Sequence, residues 1–364
     1  MPMKMLREIS IGFIAGLVAL GFVCAGAAGA QEGGSDMDEA TTISAEEMQR
    51  VYEEVRTPYK YGIVIAEEEG VLVDSPNVLR AGETWYMIYI RWNQVGYETH
   101  LARSADLLHW VKLGPVFSFT GEGWDAWQAA GSVALQDPTW GGSYAWEPFD
   151  GKTWMSYIGG AKQGYETDPL SLGMAVSDDP TSTGGWRRAT AGPIMSAEDE
   201  GARPFEAVTL YKTYIVRDET RRLGAPFVMF YNGKDTSGTE RIGIAVSEDM
   251  LNWRRHGAGP VIDNGPVGIS GDPQVVRMGE LWVMFYYGAF WQPNAFDTFA
   301  CSRDLEHWTK WEGPHLIEPT EPWDRQFAHK PWVVKHEGVV YHFYCAVGDQ
   351  GRAIAVATSR EMGE

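Results

Sequence analysis

Basic residues are scarce. The 364-residue chain has 30 Lys and Arg against 49 Asp and Glu, a formal net charge of −19. No basic run occurs, so the phosphate-neutralising surface that a nucleic-acid partner requires is missing and no such partner is expected. Cysteine is scarcer still, with three residues. Cys301 and Cys345 each lie in an apolar, strand-like run, which reads as buried thiols in preference to a disulfide. Long helical patterns are few. The one long apolar run, from Ile9 to Val23, is too short for a transmembrane span. Lys4 and Arg7 precede it and Ala28-Gly29-Ala30 follow it, so residues 1–30 read as a secretory signal peptide. Gly21-Phe22-Val23 fits a lipobox poorly, which disfavours a lipoprotein anchor at Cys24. The mature protein is then expected to be secreted or periplasmic, with no membrane span. Residues 31–57 read as a linker or N-terminal extension, and 58–364 as one large domain.

What the chain does have is aromatics and a repeat. It contains 16 Trp and 16 Tyr, residues that build β cores and also stack on sugar rings. Ala102-Arg-Ser-Ala-Asp-Leu-Leu-His-Trp110, followed by Gly114-Pro115, recurs as Ala245 to Trp253 with Gly259-Pro260. It recurs again as Ala300 to Trp308 with Gly313-Pro314, and with an insertion as Ala175 to Trp186 with Gly192-Pro193. A fifth copy, from Ala355, stops where the sequence ends. Between the copies lie hairpin patterns, Pro76 to Tyr89, Pro273 to Tyr286 and Pro331 to Tyr344, each turning at a glycine. Longer versions run from Ser132 to Tyr157 and from Glu206 to Tyr231.

Each unit therefore supplies four antiparallel strands, and five units fit the chain. The expected fold is all-β: a five-bladed β-propeller of four-stranded antiparallel blades. The last unit lacks its fourth strand, and Tyr61-Gly-Ile-Val-Ile65 resembles the missing piece, so an N-terminal strand is predicted to close the ring. The Ser-x-Asp of each copy reads as turn structure.

In a propeller the inner strands open at the central axis. Asp74, Glu206, Asp272, His329 and Lys330 stand at or next to these openings, and Asp125 lies just upstream in the second unit, with Glu147 as its rival. Carboxylates recurring at such a place are costly unless solvated, paired or used. Loops between second and third strands add Arg91, Trp92 and Glu98, then Tyr165 and Glu166, then Lys234, Asp235 and Glu240, and finally Trp291. Aromatics and charges converging on one mouth suit a carbohydrate, whose ring faces stack while its hydroxyls take hydrogen bonds.

These strand-opening acids and the blade repeat, over about residues 59–361, resemble the five-bladed propeller glycoside hydrolases of family 43, with relatives in families 32 and 130. The resemblance implies an acid opening the first blade, a second acid in blade two and a Glu in blade three, which match Asp74, Asp125 and Glu206. It also implies a histidine near the axis in the last blade, sometimes beside a bound calcium, which matches His329. No cofactor is otherwise implied. The expected activity is hydrolysis of glycosidic bonds in plant or microbial oligo- and polysaccharides by two carboxyl groups. Glu206 is then the general acid, Asp74 the base or nucleophile, and Asp125 or Asp272 the group that holds the acid's proton. Two alternatives stand beside it: a mannoside phosphorylase of the family 130 kind, and a carbohydrate-binding propeller without catalysis.

Overall fold

The computed structural model describes residues 41–363. The expected signal peptide, Cys24 and residues 31–40 lie outside the described residues. Within the expected extension, Ala45–Val55 forms helix α1. Ser44 caps it: its hydroxyl accepts from Glu47 N (3.2 Å), and the Glu47 carboxylate accepts from Ser44 N (3.0 Å). Met48, Val51 and Val55, spaced at helical period, bury against Phe285, Phe299 and Val333 of the sheets. Ser44→Ala is expected to lower stability by about 1 kcal/mol, measured by urea denaturation.

The rest is strand. β1 (Tyr59–Ile65) precedes four ladders, each of four antiparallel strands. The first is β2 (Leu72–Ala81), β3 (Thr84–Trp92), β4 (Tyr97–Ser104) and β5 (Trp110–Phe117). The second is β6 (Gln128–Val133), β7 (Thr153–Gly160), β8 (Ser171–Ser177) and β9 (Trp186–Arg188). The third is β10 (Thr209–Arg217), β11 (Phe227–Lys234), β12 (Glu240–Ser247) and β13 (Trp253–His256). The fourth is β14 (Ile269–Met278), β15 (Leu281–Ala289), β16 (Ala295–Ser302) and β17 (Thr309–Lys310). β18 (Phe327–His336), β19 (Val339–Gly348) and β20 (Gly351–Thr358) follow. The predicted pairing of the N-terminal strand is present: β1 runs antiparallel to β20, Tyr59 opposite Thr358, giving the order β1-β20-β19-β18. β2 packs against β18 and β20, and Trp332 Nε1 donates to Val78 O at 2.8 Å.

The repeated Ser-x-Asp is a turn device. Ser104 Oγ accepts from the N–H groups of Asp106 and Leu107, and Asp106 Oδ1 from those of Leu108 and His109. The following Trp110 Nε1 returns to Leu107 O. Ser247-Asp249-Trp253 and Ser302-Asp304-Trp308 repeat the pattern. Cys301 and Cys345 are free and buried, as read from the sequence.

Inner strands β2, β14 and β18 carry a bulge where a proline, which has no N–H to give a ladder, follows Ser75, Asp272 or Lys330. Those three residues have positive φ, 49°, 49° and 64°. β10 bulges at Lys212 without a proline. Hence these four side chains occupy matching places, and one cavity receives all four.

Candidate active site

The cavity measures about 170 Å³. Ser75, Lys212, Asp272 and Lys330 come from the bulged inner strands. Tyr165 and Glu166 come from the β7–β8 loop, Glu240 from the start of β12, and Arg352 from β20. Tyr97, Tyr211, Asn232, Tyr287 and His329 complete its polar wall. A neighbouring space of about 10 Å³ lies among Pro76, Pro273, Pro331 and Trp332 and shares Ser75, Lys212 and Asp272 with it.

Asp74 sits behind this wall and is 2% exposed. Its Oδ2 accepts from Arg352 (2.8 Å), Lys330 (3.0 Å) and the Tyr165 hydroxyl (3.0 Å), and its Oδ1 accepts from Ser75 N at 2.8 Å. Burial alone would raise its pKa; the Lys330 and Arg352 charges reverse that and hold it well below the usual carboxylate range. Lys330 also reaches Glu166 at 3.2 Å, so one ammonium fixes both an anchor and a carboxylate that faces the cavity.

Two acids in the cavity move the other way. Burial pushes Glu240 up to about 8, and the Glu166 charge adds to that against the opposing lysines 234 and 330. Burial likewise raises Asp272, whose Oδ2 accepts from Ser75 Oγ at 3.1 Å. Lys212 Nζ is buried without a hydrogen-bond partner, and burial pushes it down to about 8. His329 is held well below its ordinary value by burial; its Nδ1 lies 3.2 Å from Cys345 O, and its ring meets the rings of Tyr287 and Phe327 edge-on. Among the described residues no group of three or more His, Cys, Asp or Glu is arranged to hold a metal.

The structure thus joins Asp272, Glu166, His329 and Lys330 at one cavity, with Asp74 directly behind. Lys234 is near: its Nζ bonds the hydroxyl of the lining Tyr211 (2.6 Å) and pairs with Asp168 (2.5 Å). Asp125 and Glu206, expected at the mouth, are elsewhere. Glu206 is fully buried in the single 3-10 turn Pro204–Glu206, before β10 begins. It bonds Arg255 of β13, Arg203, and the Tyr231 hydroxyl of β11. Asp125 bonds Arg188 of β9 and the Tyr157 hydroxyl of β7. Asp324 does the same with Lys60 of β1 and Tyr344 of β19. A carboxylate upstream of an inner strand, a second-strand tyrosine and a fourth-strand cation form a repeated clamp, and Glu206 and Asp125 belong to it.

Four other expected residues also fall outside the cavity. Arg91 pairs with Glu68 at 2.9 Å. Trp92 packs edge-on against Tyr165. Trp291 donates to Ile269 O (2.9 Å) and packs on Phe296. Glu147 lies in a separate surface recess with Arg217 and Glu219. In the sequence pattern Glu240 stands only among loop residues, and Lys212 does not stand out. The signal for Lys212 was its alignment with Ser75, hidden by the charged insertion between β10 and β11.

No family model matches the chain, and no curated protein does. Solved structures do. BT0996, solved as an RGII complex, is 43% identical, with a TM-score of 0.85 over 89% of this sequence and 97% of that one. A structure described as a glycoside hydrolase is 42% identical, with the same TM-score and the same shares covered. A thermostable family-43 glycoside hydrolase shares the fold, at 16% identity and a TM-score of 0.57 over 84% of this sequence and 93% of that one. This protein belongs to the glycoside hydrolases and is a glycosidase.

Proposed function

We propose that this is an exo-acting glycosidase of a five-bladed, ring-closed propeller, with Glu240 as general acid and Glu166 as its partner carboxylate. One observation carries the assignment: both face the same cavity, and Glu240 is pushed up to about 8, so that it holds its proton at neutral pH. Glu240 gives that proton to the glycosidic oxygen as the C–O bond breaks. Glu166, oriented by Lys330, attacks the anomeric carbon or takes a proton from the water that does. A carboxyl separation of about 5–5.5 Å makes it the nucleophile, and roughly 6.5–9.5 Å the base. Asp74 acts through Lys330, and Asp272 with Lys212 offers acceptor and donor to hydroxyls of the bound sugar at the cavity floor.

Exo action follows from size and shape. A cavity of about 170 Å³, narrowing to about 10 Å³ in the neighbouring space, is smaller than the roughly 300–1,000 Å³ of drug-sized pockets and suits one sugar ring at the end of a glycan. The substrate we propose is an oligosaccharide of RGII, the ligand named for the relative at 43% identity, reached outside the cytoplasm through the signal read over residues 1–30. The decisive experiment incubates the purified mature protein with RGII oligosaccharides, with and without phosphate. Release of a free monosaccharide independent of phosphate is expected. Intact oligosaccharide ends the substrate assignment, and phosphate-dependent release of a sugar phosphate makes the protein a phosphorylase.

The acid must be protonated to work. With its pKa raised from 4.5 to about 8 in the unliganded protein, kcat/KM should hold from neutral pH to about 8 and fall tenfold per unit above it. A pH–rate profile whose alkaline limb lies near 5 removes Glu240 from the role.

A further inference from the structure

Besides its polar groups the cavity is lined by Ile90, Ile158, Ile269, Ala289, Ala295 and Phe327, and by one aromatic that is exposed. Phe290, just after β15, lines the cavity with 62% of its surface exposed. Its φ is 68°, a left-handed backbone that a bulky aromatic rarely adopts. The surroundings hold it there. Phe290 N bonds Asn294 O at 3.4 Å, and its ring stands edge-on to Phe327, 6.2 Å away. A solvent-facing phenylalanine kept in a costly conformation at a sugar-sized cavity is not explained by core packing.

Its location bears on the chemistry. Glu240 N donates to Gly268 O at 3.0 Å, and Glu240 bridges in parallel to Ile269. Ile269 in turn pairs with Ala289, the neighbour of Phe290. Gly268 permits this close approach: its φ is 94°, and a Cβ there would lie 2.4 Å from Ala289 O. The backbone that positions the acid is therefore the backbone that carries Phe290. The leaving oxygen must reach Glu240, so the sugar still attached to that oxygen lies over the surface beside it.

We infer that Phe290, backed by Phe327, forms the leaving-group subsite and selects an acceptor sugar that presents an apolar ring face. This rests on Glu240 being the acid. The aromatic face would stack on C–H groups of that ring, while the terminal sugar below is held by the polar floor.

The test compares an RGII oligosaccharide with the methyl glycoside of its terminal sugar, whose leaving group has no ring. Phe290→Ala is expected to lower kcat/KM on the oligosaccharide about tenfold, chiefly through KM, and at least about fivefold more than on the methyl glycoside. Phe290→Trp should recover most of the loss. Equal losses on the two substrates, no loss on the oligosaccharide, or no recovery by Trp would overturn the inference. Glu240→Gln is run in parallel: if it stays active, the acid assignment fails, whereas an inactive Glu240→Gln with unchanged selectivity in Phe290→Ala refutes the subsite alone. Wild-type protein that leaves the oligosaccharide intact overturns both.

Discussion

Glu240→Gln is expected to lower kcat by about a hundredfold to ten-thousandfold, the usual worth of a positioned general acid. The amide is isosteric and cannot donate the proton, so the fold should be kept and the loss should be chemical. Two controls identify its origin. A glycoside with a strongly acidic phenol as leaving group needs little protonation, so its cleavage should be much less impaired. The alkaline limb near pH 8 should vanish from whatever rate remains, because the group that titrates there is gone. Full activity in Glu240→Gln on the natural linkage would show that another group supplies the proton. Asp272, also raised by burial and lining the same cavity, would then be the first alternative.

Glu206→Gln is expected to act on stability. Glu206 is fully buried, and its partners Arg203 and Arg255 have side chains only 9% and 13% exposed. Removing the carboxylate leaves Arg203 uncompensated, while Arg255 keeps Asp199 at 3.0 Å, so the cost lies toward the lower end of the about 3–5 kcal/mol of a broken buried pair. Urea denaturation should show the loss, while the folded fraction keeps its turnover at low temperature. Asp125→Asn should cost less, because Arg188 keeps 27% of its side chain in solvent and is partly hydrated when unpaired. A Glu206→Gln protein of native stability and no activity would return Glu206 to the chemistry.

The two substitutions also measure how far the sequence could be read unaided. The hairpins at Pro76, Pro273 and Pro331, the Ser-x-Asp turns and the pairing of Tyr59–Ile65 with the last strand were legible, because each rests on local turn chemistry or alternation. Helix α1 is legible too, from Ser44-x-x-Glu47 and the period of Met48, Val51 and Val55, within a segment whose position before the first blade suits an extension. Glu206 misled for a physical reason. The insertion between β10 and β11 stretched the hairpin, and the nearest acid was aligned with Asp272. The true counterpart is Lys212, a basic residue at a bulge that lacks the proline.

Alternation, turns and X-Pro bulges act over a few residues, so the strand repeat, the all-β class and the inner-strand positions at Ser75, Asp272 and Lys330 follow from local sequence. Which carboxyls face the cavity and which close clamps depends on long-range packing. Protonation and use of a side group depend on burial and on charges brought from far along the sequence. Asp74 is anchored by Lys330 and Arg352, Glu206 by Arg255, while burial and the Glu166 charge raise the pKa of Glu240. No local pattern records those meetings.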